Sequence, residues 1–295
     1  MDVIKNNYKI CKSIDLGLRW LLYSGIQNLN KKNRKSYGSF NAWYDLSNKK
    51  FSYNYSEISG YFVTFMCFMY KVTNKLEYLN RSRKAANWLI NKSQLNNGGF
   101  KCLFLIDKRL NFLKKKELAS YTFDNGVIIN GLINLYKITK NKKYLYSATK
   151  CGDWICEKFV KKNFELFPAY NFKKKQIIQS EKSWSEKSGP YHTKVSMGLL
   201  NLYLVTRKTR YLEVAKKLNI AYLKHKTNYG DFKSTKSSTN FHPFFYSLEG
   251  YWATSNIIKI KNLHKILRKS LKWYLTKLKN KKLPRLRINK KFFFN

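Results

Sequence analysis

The chain has 295 residues, of which 44% are hydrophobic and 17% aromatic, enough to fill the core of one compact domain. Lys and Arg outnumber Asp and Glu by 59 to 16, which gives a formal net charge of +43. The lysines form short clusters along the whole length, a spread that is typical of compositional bias. We therefore expect a solvated basic surface and no specific nucleic-acid site.

Cysteine usage and hydropathy indicate in which cellular compartment the protein is expected. The five cysteines show no C-x-x-C pattern, which predicts free, mostly buried thiols in a reducing compartment and no zinc site. The N-terminus lacks an uninterrupted apolar stretch, and no later segment is long enough to cross a bilayer. A cytoplasmic location is expected, with neither a metal nor a cofactor.

A repeat organises the chain from its first helix onward. Positions 20, 88, 154, 221 and 273 carry Trp, Trp, Trp, Ala and Trp, with an apolar residue ten positions before each. Their separations are 68, 66, 67 and 52 residues. Apolar residues recur at helical spacing around each position, so each segment predicts an amphipathic helix with the aromatic side chain in the core.

A second family of helices alternates with the first and is apolar around more of its circumference. These helices are predicted at residues 57–73, 124–139, 194–206 and 247–258. They should form the inner set, because a helix that is apolar all round is a buried helix. Short polar turns join each one to the next tryptophan helix, whereas connections of about 30 residues precede them.

This alternation predicts an all-α fold, an incomplete α/α toroid of about four to five helical hairpins with long loops on one rim. The toroid should occupy residues 1–280 as a single domain, followed by a basic tail at 281–295. An open solenoid of paired 34-residue units would also give a period near 68, but the long loop in every repeat disfavours it. The tail either frays in solvent or rests on an anionic membrane.

Candidate site residues lie where the inner helices begin, because those four starts should converge on the mouth of the ring. In a chain with 16 acids and four histidines, three acids and two histidines occur at this recurrent position. The catalytic candidates are therefore Glu57, Asp124, His192, His242 and Glu249. The substrate-binding candidates, which offer aromatic faces, hydroxyl groups or a cation, are Trp43, Tyr53, Tyr55, Tyr121, Tyr191, Lys194 and Tyr246.

Each candidate also has an ordinary explanation. Ser56, Ser120 or Asp124 could cap a helix, and Glu57 and Glu249 could be first-turn acids that the helix dipole favours. Converging helix N-termini together with Lys194 favour an anionic sugar or polysaccharide as the ligand.

Four ordered motifs resemble those of bacterial polysaccharide-biosynthesis proteins that carry a prenyltransferase-like α/α-toroid repeat. They lie at residues 55–62, 121–133, 191–204 and 242–252, within a resemblance that covers about residues 37–273. The chain departs from the family pattern at Lys194, where Arg is common, and at Pro243. That toroid is similar to six-hairpin glycosidases, sugar epimerases and glucuronyl C5-epimerases, so the resemblance implies sugar chemistry without fixing the reaction.

The leading hypothesis is an enzyme of glycan biosynthesis or modification that acts on an acidic or polymeric sugar. Two acids among Glu57, Asp124 and Glu249 could cleave a glycosidic bond. Alternatively, His192 or His242 with a tyrosine could move a proton beside a uronate carboxylate while Lys194 neutralises charge, giving epimerisation or elimination. The rival hypothesis is a carbohydrate-binding or assembly scaffold without catalysis.

Overall fold

The computed structural model describes residues 2–180, 184–228, 230–232, 238–276 and 287–289. Most of this part is helical. The helices are α1 (Asp2–Tyr23), α2 (Ser56–Thr73), α3 (Leu76–Trp88), α4 (Lys114–Glu117), α5 (Thr122–Thr139), α6 (Lys142–Lys158), α7 (Val195–Thr206), α8 (Thr209–Leu223), α9 (Phe241–Ser255) and α10 (Leu263–Leu275). A π-helical turn, Leu89–Ser93, extends α3, and 3-10 turns lie at Lys108–Leu113, Trp184–Glu186 and Pro190–Lys194.

Short strands pair antiparallel in the long connections. They are β1 (Tyr44–Asp45), β2 (Lys50–Phe51), β3 (Asn54–Tyr55), β4 (Leu103–Phe104), β5 (Ala119–Tyr121), β6 (Ala169–Asn171), β7 (Gln176–Ile178), β8 (Ser238–Asn240) and β9 (Arg287–Asn289). The pairs are β1 with β2, β3 with β4, β5 with β6, β6 with β7 and β8 with β9.

The helices form two layers, as the sequence predicts. Helices α2, α5, α7 and α9 pack against one another in chain order and make the inner layer. Helices α3, α6, α8 and α10 each pack on the inner helix that precedes them. The fold is an α/α toroid, and its main apolar core lies between the two layers.

Glycine lets the inner helices approach closely. A Cβ atom added to Gly131 of α5 would lie 2.7 Å from the carbonyl oxygen of Gly60 in α2. One added to Gly250 of α9 would lie 2.2 Å from the carbonyl carbon of Thr193. Any larger residue would therefore push these elements apart, and the elements that meet here carry the candidate site.

The short turns on one rim repeat the same local structure. The C-cap residues that directly follow inner helices α2, α5 and α7 are Asn74, Lys140 and Arg207. Each has the left-handed conformation, with φ of 56°, 57° and 60° respectively. The amide of each donates to a tyrosine carbonyl four residues earlier. This backbone bond closes the last turn of the helix and reverses the chain toward the outer layer.

Two helical predictions differ from the structure. Trp88 and Trp154 are buried as predicted, but the Trp20 side chain is 47% exposed, because α1 turns Leu18 and Leu22 toward the core and Trp20, two positions from each, lies on another face. Helix α9 begins at Phe241, six residues before the predicted start. The Asn240 side chain accepts a bond of 3.0 Å from the amide of His242 and caps the helix, and Pro243 fits in the first turn, where its missing N–H has no intrahelical partner.

The remaining predictions concern the chain's ends, its thiols and hydropathy. All five cysteines are free, and Cys11 is exposed rather than buried. The predicted tail 281–295 lies outside the described residues apart from β9, which pairs with β8. Among the described helices, none combines the length and apolar character that a membrane span requires.

Candidate active site

Two carboxyl groups lie in the first turns of neighbouring inner helices. Glu57 follows β3 at the start of α2, and Asp124 follows β5 at the start of α5. The amide of Ser56 donates to the carbonyl of Cys102 over 3.0 Å, and the amide of Cys102 donates to the carbonyl of Ala119 over 2.8 Å. These two backbone bonds connect the approaches to both helices and bring the Glu57 and Asp124 side chains into one cluster.

None of the three possible caps acts as one. The N-cap positions of α2 and α5 are Tyr55 and Tyr121, and neither makes a side-chain capping bond. The Ser56 hydroxyl pairs with that of Ser93 at 2.7 Å, and the Ser120 hydroxyl accepts from the Asn125 side chain at 2.9 Å. Asp124 Oδ2 is buried and has no hydrogen-bond partner. Helix capping therefore does not explain this acid.

The surroundings of the two carboxyl groups affect their pKa values differently. Burial raises the pKa of Asp124 well above its ordinary value, and the charge of Glu57 raises it further. Burial also raises the pKa of Glu57, but hydrogen bonding from Tyr55 and the charge of Lys194 oppose that rise. Both pKa values are raised, but the rise is opposed at Glu57, so Asp124 is the carboxyl group of the pair that is placed to keep its proton, as in proteins that divide acid and base roles between two carboxyl groups.

Lys194 brings a cation to this cluster, and aromatic rings surround it. Its ammonium lies 4.2 Å from the ring centre of Tyr246, 4.7 Å from that of Tyr61 and 6.0 Å from that of Phe123. It also forms an ion pair with Glu249, whose side chain is 48% exposed. Burial lowers the pKa of Lys194, and Glu249 opposes that effect. Glu249 is therefore placed to hold the cation in position.

His242, Tyr246 and Glu249 share one face of α9, since they are four and three residues apart on a helix. His242 Nε2 lies 2.7 Å from the Tyr246 hydroxyl, and its ring meets that of Trp184 edge-on at 5.4 Å. Burial lowers the pKa of His242, and the charge of Lys194 lowers it further. A neutral imidazole at the edge of the cluster can accept a proton.

His192 lies in the interior, against the expectation that it could act as a base. Its ring has no exposed surface, its Nδ1 accepts from the amide of Gly189 over 3.4 Å, and its Nε2 has no partner. Burial lowers its pKa to about 3. Because residues three apart share a face of a 3-10 turn, Tyr191 and Lys194 lie on one side and His192 points elsewhere.

The predicted binding residues differ in how they are placed around the two acids. Tyr55, Tyr121 and Tyr246 belong to the cluster; the Tyr121 hydroxyl donates to Glu186 over 3.3 Å. Tyr191 packs on Phe123, but its hydroxyl donates to the carbonyl of Lys187 over 2.9 Å and so supports its own loop. Burial and the charges of Cys102, Asp124 and Glu57 raise the pKa of Tyr53, which therefore lies near both acids. Trp43 is 47% exposed, and its ring centre lies 5.1 Å from that of Tyr53.

Other side chains of the cluster were not predicted. Cys102 lies beside both acids: burial raises the pKa of its thiol well above the ordinary value, and the charges of Asp124 and Glu57 add to the rise. Tyr61, one turn after Glu57, and Phe123 form part of the aromatic surround of Lys194. Helical spacing from Glu57 could have indicated Tyr61, whereas Cys102 enters through strand pairing, which no sequence pattern indicates. Among the described residues, no three acids, histidines or cysteines come together as a metal site.

The fold and this cluster define an α/α toroid that carries acids, tyrosines and a lysine surrounded by aromatic rings where its inner helices begin. The chain belongs to the family described as the β-L-arabinofuranosidase GH127 catalytic domain, whose model matches residues 13–243. This membership confirms the predicted likeness to six-hairpin glycosidases.

Solved structures show the same toroid. A GH76 α-mannanase of Bacteroides thetaiotaomicron superposes with a TM-score of 0.62 at 16% identity, covering 79% of this chain and 60% of that one. The cellobiose 2-epimerase of Bacillus thermoamylovorans gives 0.64 at 13%, covering 78% and 62%. A sugar epimerase from a ruminal bacterium gives 0.66 at 13%, covering 94% and 75%. At these identities the likeness establishes the fold.

One curated relative, the β″ subunit of DNA-directed RNA polymerase of Euglena longa, is 28% identical over 195 residues. The match covers 63% of this chain, which spans about a quarter (23%) of that relative's length. A composition this rich in lysine raises the identity expected by chance. The family assignment does not depend on this match.

Proposed function

We propose that this chain hydrolyses glycosidic bonds, with Asp124 as the general acid and Glu57 as its ionised partner. The observation that carries the proposal is Asp124 itself, a buried acid with an unpartnered oxygen whose pKa is raised by burial and by Glu57. An acid that remains protonated near neutral pH can donate its proton to the leaving oxygen when the bond to the anomeric carbon breaks.

Glu57 would complete the reaction in one of two ways. As a nucleophile it attacks the anomeric carbon, and water later releases the sugar from the ester with retention; as a base it takes a proton from water that attacks directly, with inversion. In both routes water supplies the new hydroxyl group and its remaining proton restores the carboxyl pair. Lys194 supports this role, because its charge lowers the pKa of Glu57.

The charges of the cluster favour a neutral sugar over the anionic one that the helix N-termini suggested. Lys194 is paired with Glu249, and Glu57 and Asp124 add two further acids. A uronate beside Lys194 would have to compete with the Glu249 carboxylate for that cation. The sequence also predicts an acidic sugar substrate and a role in cytoplasmic polysaccharide synthesis. Both stay predictions, and an acidic substrate can be tested by including uronides in the substrate panel.

A second candidate reaction is epimerisation, and His242 is the observation that favours it. This imidazole has a lowered pKa, bonds to Tyr246 and lies near the charge of Lys194. A neutral base beside a phenol and a cation could remove and return a proton at a sugar carbon. Glycosidic cleavage is preferred because the family model is that of a glycosidase catalytic domain.

The test is turnover of a panel of 4-nitrophenyl glycosides, beginning with the β-L-arabinofuranoside and the α-mannoside, with products followed by proton NMR. We expect nitrophenol release, a drop of more than about a thousandfold in Glu57→Gln, a smaller drop in Asp124→Asn because nitrophenol is a good leaving group, and wild-type rates in Glu213→Gln, an exposed acid of α8. Release that survives in both site variants would overturn the proposal. The same incubations in D₂O test the second candidate, since epimerisation places deuterium on a sugar carbon.

A further inference from the structure

A second concave surface lies outside the carboxyl cluster, between the β1–β2 hairpin and the segment around residue 109. It is a shallow depression with a cavity volume of about 120 Å³. Its lining combines two large aromatic side chains with acids, an amide and cations. The lining residues are Trp43, Asp45, Asn48, Lys50, Phe51, Ser52, Asp107, Arg109 and Leu110.

Trp43 presents a fixed aromatic surface to this depression. Its amide donates to the Ser52 hydroxyl over 3.0 Å, and the Ser52 amide donates to the Trp43 carbonyl over 3.0 Å. The indole packs edge-on against Tyr53 and is still 47% exposed. A half-exposed indole that is held at its backbone and at one edge is suited to stack on a sugar ring.

The polar groups of the depression are also held in place. Arg109 Nε donates to both carboxylate oxygens of Asp107, at 3.1 and 2.9 Å, and its Nη1 donates to Asn48 Oδ1 over 3.2 Å. The Asn48 side chain in turn donates to Asp45 over 2.7 Å. This network links the two sides of the depression and offers the donors and acceptors that sugar hydroxyls require. Two acids face two cations, so an uncharged sugar fits better than a uronate.

A series of contacts between aromatic side chains connects the depression with the carboxyl cluster. Trp43 contacts Tyr53 at 5.1 Å, and Tyr53 contacts Tyr55 at 5.7 Å between ring centres. Tyr55 hydrogen-bonds Glu57. These contacts fix the half-exposed indole of Trp43 relative to Tyr55 and Glu57 through the buried ring of Tyr53, so a chain of sugars that extends from the acids along this segment reaches Trp43.

We infer that the Trp43 depression is a distal subsite and that the substrate is a neutral oligosaccharide or polysaccharide chain, bound at Glu57 and Asp124 by one unit and at Trp43 by another. This inference rests on the proposed function. It predicts that turnover depends on chain length, because only a chain of several sugars reaches both surfaces.

The experiment compares wild type, Trp43→Ala and Arg109→Ala on a 4-nitrophenyl monosaccharide that wild type cleaves and on chains of two to five units of that sugar. Leu46→Ala, on the same hairpin but outside the depression and 83% exposed, is the matched control. We expect the ratio of kcat/KM for longer chains to that for the monosaccharide to fall about tenfold or more in Trp43→Ala and Arg109→Ala, and to keep its wild-type value in Leu46→Ala. Equal losses on both substrates, or no effect of chain length in wild type, would overturn the inference.

A binding measurement separates this inference from the proposed function. Affinity electrophoresis of Glu57→Gln in gels with mannan or arabinan needs no turnover. Retardation that is lost when Trp43→Ala is added supports the subsite even if wild type cleaves nothing. Cleavage of aryl monosaccharides without retardation in either gel and without dependence on chain length leaves the proposed function standing and rejects the subsite.

Discussion

Glu57 and Asp124 occupy the first turns of adjacent inner helices, and the charge of Glu57 raises the pKa of Asp124. The pair arises from the repeat itself, because equivalent positions of two successive helices meet at the same rim. The difference between the acids comes from their neighbours, since Tyr55 and Lys194 oppose the rise that burial causes in the pKa of Glu57, whereas the charge of Glu57 adds to the rise at Asp124.

Asp124→Asn should change how stability depends on pH. The folded pKa of Asp124 is raised above its ordinary 3.8, so the native protein keeps a proton that the unfolded chain releases. The wild-type free energy of unfolding therefore falls as pH rises above about 3.8, and the variant lacks this contribution. Urea titrations from pH 4 to 8 should show the variant gaining on wild type with rising pH. A constant difference would contradict the raised pKa.

Lys194→Met should move the pH profile of catalysis. Methionine fills the aromatic surround without charge, so the pKa of Glu57 rises and Glu57 is protonated at a higher pH. The acid limb of kcat/KM is expected to shift upward, with a larger loss at pH 5 than at pH 7. Lys216→Met, on the exposed face of α8, is the control and should keep the wild-type profile. A limb that stays in place would show that Lys194 does not act on Glu57.

His192→Gln separates a structural from a catalytic histidine. The folded pKa of about 3 lies below the ordinary 6.5, so in wild type this group's contribution is complete above pH 6.5 and is lost as pH falls toward 3. The variant should lose stability less steeply across that window and keep activity at neutral pH within about tenfold, or about 1.4 kcal/mol. A thousandfold loss of activity in a folded variant would restore His192 as a base.

The sequence is sufficient to predict the ring because one physical feature, the alternation of two helix families, repeats four times. Position along that repeat also predicts Glu57, Asp124 and Lys194, since inner helices of a toroid begin at one rim. The repeat does not predict the direction in which a side chain points. His192 and Lys194 share the same recurrent segment, but a 3-10 turn directs them differently, and the sequence predicted no such turn.

Contacts made through strand pairing, and burial near the chain ends, are also not predicted by a sequence pattern. Cys102 joins the acids because its backbone bonds to Ser56 and Ala119, contacts between distant parts of the chain. Trp20 satisfies the repeat but remains exposed, because periodicity describes one helix and burial depends on its neighbours. The Trp43 depression is likewise formed by two loops that are far apart in sequence.

Gly131→Ala tests the close packing that brings the inner helices together. The new methyl group would lie 2.7 Å from the Gly60 carbonyl oxygen, so α2 and α5 must separate, and we expect a loss of about 1 to 3 kcal/mol of unfolding free energy. In α1, Gly17 has no atom within 4 Å of an added Cβ, so Gly17→Ala should stabilise by up to about 1 kcal/mol. Thermal and urea unfolding measure both. Equal effects of the two substitutions would show that the contact is not tight.

The central claim, that Asp124 donates the proton to the leaving oxygen, is tested most directly by varying the leaving group. A 2,4-dinitrophenyl glycoside leaves as a stable anion and needs no proton, whereas an alkyl glycoside needs one. We predict that Asp124→Asn keeps the rate of dinitrophenol release within about tenfold of wild type, loses more than about a thousandfold on the alkyl glycoside, and that Glu57→Gln loses both. Equal losses on the two substrates in Asp124→Asn would contradict the assignment.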